Sequence, residues 1–261
     1  MNEAKSVRCL GVPRLGPCLA ARALAIAVLL LACGPTRALA HELLDAEEST
    51  RFVERISKFN AVIAASESLE ERTAALYDLG ETLFRVTELL NRDLAFHGGQ
   101  FGLISQVLFA ELERRGIAFA FCDAAKRYRS YLAPFKEYLA TAPEGPRASD
   151  AMFRVLYGRF YDSFIYDPMQ PLQLDWGGLL NQIEMAESLI SRYPDHGDSE
   201  EARFILAVEY ARAARTAPDA DGKKVFFERA QTALRTFVDA YPESLRAAAA
   251  RVLLESLSPP D

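Results

Sequence analysis

Ile190-Ser-Arg-Tyr-Pro-Asp-His-Gly-Asp-Ser-Glu-Glu-Ala-Arg-Phe204 holds the phrase on which the fold turns. Pro194 follows a tyrosine and precedes an acid, Ala202 comes eight residues after the proline, and the bulky Phe204 comes ten after it. The phrase recurs at Ala142-Pro143-Glu144 with Ala151 and Phe153, and at Tyr241-Pro242-Glu243 with Ala250 and Val252. Apolar residues stand four before each proline (Leu139, Ile190, Val238) and five before it (Tyr138, Leu189, Phe237). The residue before a proline is pushed out of the α region, so each phrase ends one helix. The acid that follows is expected to cap or favour the next helix, whose N-terminus carries partial positive charge. The alanine then lets a neighbouring helix approach closely. Three such helix–turn–helix corners at a period near fifty residues imply an array of helix pairs, each burying its apolar face on the next.

The Tyr-Pro-acidic corner with its close-packing alanine resembles the tetratricopeptide-like repeats of bacterial envelope proteins. The BamD outer-membrane-assembly lipoproteins and the CpoB/YbgF Tol-system periplasmic proteins are of this kind. The likeness covers roughly Phe135 to Leu257 and implies a right-handed solenoid of antiparallel helix pairs that holds a partner without doing chemistry. The prolines stand 51 and 48 residues apart, against about 34 in the usual repeat, and the first copy has Ala142 where the others have tyrosine.

Outward from the corners, the reading is all-α, about nine helices. Phe52, Ile56, Phe59 and Ile63 line one face of a helix from about Thr50 to Ala65. Ser68-Leu-Glu-Glu71 fits a capping box opening a helix striped by Leu76, Leu79, Leu83, Val86 and Leu90, which ends at His97-Gly98-Gly99. A third helix spans about Gln100 to Arg115. A fourth is predicted from Asp123 to Ala140, kinked at Pro134; the alternative is two shorter helices meeting there. Residues 50–122 form an N-terminal helical region, 123–257 the repeats, 41–49 a tether and 258–261 a tail.

The first forty residues read as a targeting segment. Lys5, Arg8, Arg14 and Arg22 precede an apolar run of eleven residues, Ala23 to Cys33, too short to span a bilayer. Ala38-Leu39-Ala40 suits a signal peptidase and soluble release; Leu30-Leu31-Ala32-Cys33-Gly34 resembles a lipobox, with Cys33 as the lipidated residue. Either exit implies export, to a periplasm or to the outer membrane. Removing residues 1–40 takes away five basic residues and one acid, leaving 25 Lys+Arg against 35 Asp+Glu, a net charge of about −10. Nucleic acid is therefore not an expected partner, and membrane contact is expected only through a lipid anchor. Cys122 remains alone and reads as a buried small hydrophobe.

Chemistry is sparse. His41, His97 and His196 are the imidazoles, and nothing in the sequence brings them together. Asp219-x-Asp221-Gly222 lacks a first calcium ligand at Ala217 and reads as a turn opening a helix. Phosphate loops, zinc-helix motifs and serine elbows are missing, and no cofactor, metal site or catalytic residue is expected. The stronger hint is aromatic: Tyr128, Tyr131, Phe135 and Tyr138, then Phe153, Tyr157, Phe160, Tyr161 and Phe164. Tyrosine suits a groove with one wet edge. Tyr128, Tyr131, Tyr157, Tyr161 and Trp176 are the expected partner-binding residues, Trp176 lying either packed on the array or exposed. The expected function is an adaptor holding an envelope protein or peptide segment in a helical groove. The runner-up is an envelope enzyme or glycan-binding factor, related to peptidoglycan, on the same scaffold.

Overall fold

Asp45 accepts a hydrogen bond from the Glu48 N–H at 2.6 Å and so caps the first helix. The computed structural model of the protein describes residues 44–123, 125–164 and 176–257. Helix α1 spans Ala46–Ala65, one turn longer than its apolar stripe predicts. Leu44 is buried ahead of the cap, so the expected tether is helix from Ala46. An aspartate cap and two first-turn acids suffice to extend a helix whose added turn carries few apolar residues.

Helix α2, Leu69–Phe96, opens on the Ser68 hydroxyl, which accepts from the Glu71 N–H. Glu71 meets the Ser66 hydroxyl at 2.8 Å instead of reaching back to the cap's own N–H, which Ser66 takes. Its leucine stripe is buried, as expected. Helix α3 is Leu103–Arg114.

The predicted fourth helix is not one helix. Phe121–Cys122 (β1) and Arg127–Tyr128 (β2) pair antiparallel, with Lys126 at φ +51° in the turn between them. Asn91 of α2 serves as a third strand: its amide donates to the Tyr128 carbonyl at 2.8 Å and its side-chain oxygen accepts the Tyr128 N–H at 2.7 Å. Pro134 stands in the first turn of a new helix, α4, Ala133–Thr141, where its missing N–H costs nothing. Cys122 is buried, its sulfur 3.3 Å from the Ala125 N–H. Asn91→Ala is expected to remove two hydrogen bonds and cost about 2 kcal/mol. Thermal unfolding should show this as a Tm lower by roughly 4–8 °C; an unchanged Tm would mean that the hairpin is held by its aromatic packing alone.

Helices α5 (Ala148–Phe164), α6 (Trp176–Arg192), α7 (Ser199–Thr216), α8 (Ala220–Ala240) and α9 (Leu245–Ser256) complete the order. The three proline corners share one backbone pattern. The residue before each proline donates to the carbonyl of the residue five before it: Ala142 to Tyr138, Tyr193 to Leu189, Tyr241 to Phe237, at 2.7–2.9 Å. The residue two past each proline then donates back to the one before it: Gly145 to Ala142, His196 to Tyr193, Ser244 to Tyr241, at 3.0–3.1 Å. Tyr138, Leu189 and Phe237 are each 1 % exposed, and Ala151, Ala202 and Ala250 are fully buried. The acid beside the proline is not the cap expected of it. Glu144 pairs with Arg192 at 2.5 Å, Asp195 and Glu243 are exposed, and Ser244 caps α9.

Among the described residues the fold is nine helices and one two-residue-strand hairpin, an all-α architecture. From α4 onward each helix packs on its successor, and α5, α7 and α9 also touch in series. One core joins α1–α3 and the hairpin, a second joins α2, α4 and α5, and a third fills α5–α9. Tyr157 packs against both the second and the third.

Candidate functional site

A polar and aromatic seam crosses the helices where the second and third cores meet. Glu81 on α2 accepts two hydrogen bonds from the Arg154 guanidinium on α5, at 2.6 and 3.1 Å, and a third from the Tyr77 hydroxyl at 3.2 Å. Burial, with Glu81 and Asp150 nearby, pushes the Tyr77 hydroxyl up to about 12, so it remains a donor. Two guanidiniums lie over rings here: Arg147 over Tyr77 at 4.7 Å and Arg154 over Phe84 at 5.5 Å.

The aromatic line continues from Phe84 to Tyr157 (6.2 Å between centroids) and from Tyr157 to Tyr161 (4.3 Å). The Tyr161 hydroxyl donates to Glu201 on α7 at 2.9 Å, and Glu201 also pairs with Arg246 of α9. Beside this line, His196 Nε2 meets Asp150 at 3.0 Å while His196 Nδ1 accepts the Asp198 N–H at 3.1 Å, which places the ring proton toward Asp150.

These contacts carry a second regularity. Seven residues after each of the first two prolines stands an acid, Asp150 and Glu201, just before the close-packing alanine. Each acid receives a donor from the next corner: His196 reaches Asp150, and Arg246 reaches Glu201 while Ser244 reaches the adjacent Glu200 at 2.5 Å. The acid that ties one corner to the next thus stands seven residues past the proline, not beside it.

The five expected partner-binding residues do not line one groove. Tyr128 and Tyr131 belong to the N-terminal core and to no helix. Tyr128 stacks on Phe101 at 5.6 Å and 12°, and Tyr131 lies edge-on to Phe119 at 5.4 Å. Burial, with Glu113 nearby, raises the Tyr128 hydroxyl above its usual range. Trp176 begins α6, with Gly177 and Gly178 inside that helix, and sits edge-on to Phe226 at 5.6 Å, half-buried on the array. Beside it the Arg229 guanidinium lies over the rings of Tyr210 and Phe226, and Tyr210 donates to Glu187. Tyr157 and Tyr161 are in direct ring contact, both half-buried, while Tyr128 and Tyr131 share Phe119 in the separate N-terminal core.

Tyr77, Glu81, Arg147, Arg154, Asp150, His196, Glu201 and Arg246 were not among the expected residues. The acid seven past the proline was a readable signal for two of them. Cys33, His41 and residues 165–175 lie outside the described residues.

The seam's carboxylates are occupied by guanidinium, hydroxyl or imidazole groups, so what it offers a ligand is aromatic edge and paired charge. Among the described residues no three His, Cys, Asp or Glu side chains come together as a metal site, and no helix is long and apolar enough to cross a membrane. Asp219 accepts the Gly222 N–H at 2.6 Å and caps α8, the turn expected there. Comparison of the chain with protein-family models, with curated proteins and with solved structures gives no match.

Proposed function

We propose that the chain is a non-catalytic adaptor of the bacterial cell envelope. In this reading it is a tetratricopeptide-like, right-handed solenoid that holds a partner protein or peptide segment along the seam. The observation that carries the reading is the seam itself: Phe84, Tyr157 and Tyr161 beside Arg154 and Glu81. Tyrosine and arginine in half-desolvated positions are the residue types on which interfaces concentrate their energy. A partner segment would set apolar side chains against Tyr157 and Tyr161 and polar groups against the Arg154–Glu81 pair. The seam's carboxylates hold the aromatic and guanidinium groups in fixed positions, which suits a preformed binding surface.

The reading is tested by capture from envelope extracts, with the intact chain compared to a Tyr157→Ala/Tyr161→Ala double variant. Partner recovery should fall at least about tenfold, roughly 1.4 kcal/mol, with the circular-dichroism spectrum unchanged. Equal recovery by the variant, or release of soluble fragments from purified peptidoglycan by the intact chain, would end the adaptor reading.

A further inference from the structure

Three large apolar side chains stand out of the fold at the α2–α3 corner: Phe96 is 60 % exposed, Leu103 77 % and Val107 58 %. Scattered exposed apolar residues are ordinary, but a group at one corner marks a contact surface. The corner is built to hold its shape. Buried Asp93 accepts the Gly102 N–H at 2.8 Å and meets His97 Nδ1 at 3.2 Å. The His97 ring lies edge-on to Phe96 at 5.1 Å and fills the space beside Gly102, where an added Cβ would come within 2.9 Å of its Cε1. Gly98 and Gly99, at φ +64° and +97°, make the return that other residues resist. Leu103 and Val107, one turn apart, share the outward face of α3, and exposed Arg92 lies one turn before Phe96 on α2.

The start of the described chain lies toward the same end of the bundle. Glu48 of α1 reaches Arg85 of α2 at 3.0 Å, and Ser57, further along α1, reaches Arg115 at the far end of α3 at 2.6 Å. Helix α1 therefore runs parallel to α3, and Leu44 sits toward the end where α3 begins. The 43 residues before Leu44 in the sequence carry the apolar run Ala23–Cys33. Of the two exits read in the sequence, lipid attachment at Cys33 leaves ten residues, 34–43, before Leu44, at most about 35 Å when fully extended.

We infer that the α2–α3 corner seats on a lipid surface, with Phe96, Leu103 and Val107 entering the boundary between headgroups and acyl chains and Arg92 meeting lipid phosphates. A single lipid chain holds a protein to a bilayer only marginally, so stable seating takes a second contact, and the corner supplies it. The inference deepens the export reading by way of its anchored exit and is independent of what the seam holds.

The test is amide hydrogen exchange on the full chain with and without vesicles of phosphatidylethanolamine and phosphatidylglycerol. Vesicles should slow exchange at the start of α3 and the end of α2 about tenfold or more, leaving α8 and α9 unchanged. The variant Phe96→Asp/Leu103→Asp/Val107→Asp, altered only at exposed positions, should lose that protection while keeping its circular-dichroism spectrum. It should also need about tenfold more lipid for half-maximal binding. An unchanged corner on vesicle addition, or equal lipid binding by the variant, overturns the inference. Protection that appears without vesicles and grows with protein concentration also overturns it, since a second copy would then be the occupant.

Discussion

Phe135→Ala is expected to lower the unfolding free energy by about 3–5 kcal/mol, the range for emptying a buried phenylalanine site. Phe135 is fully buried on α4, edge-on to Tyr77 at 5.6 Å, and its ring lies against Gly80 of α2. A Cβ added at Gly80 would stand 2.7 Å from the ring. Glycine inside a helix ordinarily costs up to about 1 kcal/mol relative to alanine, yet Gly80→Ala should destabilise here because the ring cannot retreat into a full core. The two positions are therefore coupled. In the Phe135→Ala background the same Gly80→Ala change should become neutral or stabilising by up to about 1 kcal/mol. Denaturant titration of the four proteins measures this, and additive effects would show that the two helices do not meet through this contact.

The second large effect concerns pH. Glu209 of α7 has no exposed surface, and burial, opposed by Arg212, pushes its carboxyl up to about 7. One oxygen accepts from Arg212 Nη1 at 2.9 Å, which also donates to Ser163 at 2.9 Å; the other oxygen has no hydrogen-bond partner among the described residues. The folded carboxyl holds its proton to higher pH than the unfolded one, which releases it near 4.5. Its contribution to stability is thus present below about 4.5 and is lost as pH rises through about 7, up to about 3 kcal/mol in all. Glu209→Gln keeps an oxygen for Arg212 and removes the titration. It should flatten the stability profile across that window and exceed the parent protein above it. A parallel profile for the two proteins would place the pH dependence elsewhere.

What could be read in the sequence was what depends on neighbours along the chain. The three proline corners turn where expected, the capping role of the acid apart, because their hydrogen bonds span only a few residues, from Tyr138 to Gly145 and at the two later copies. The segment from Phe121 to Leu132 misled for the same reason. Tyr128, Tyr131, Phe135 and Tyr138 keep helical spacing, but Asn91, which holds Tyr128 in a strand, lies 37 residues away. The seam was half legible. Tyr157 and Tyr161 stood out as aromatic excess on α5, whereas Glu81 and Arg154, 73 residues apart, meet only because α2 packs beside α4 and α5.

The acid seven residues past the proline has a further consequence. Asp150 and Glu201 fill that position in the first two copies, and the third has Ala249, fully buried. Each acid is a socket for the copy that follows, and the last copy has no socket. The three corners are therefore linked in one direction along the chain, each of the first two acids held by a donor from the corner that follows it. Strain put on one corner is thereby passed to the acid of the corner before it, so the first two links would give way in sequence, not together.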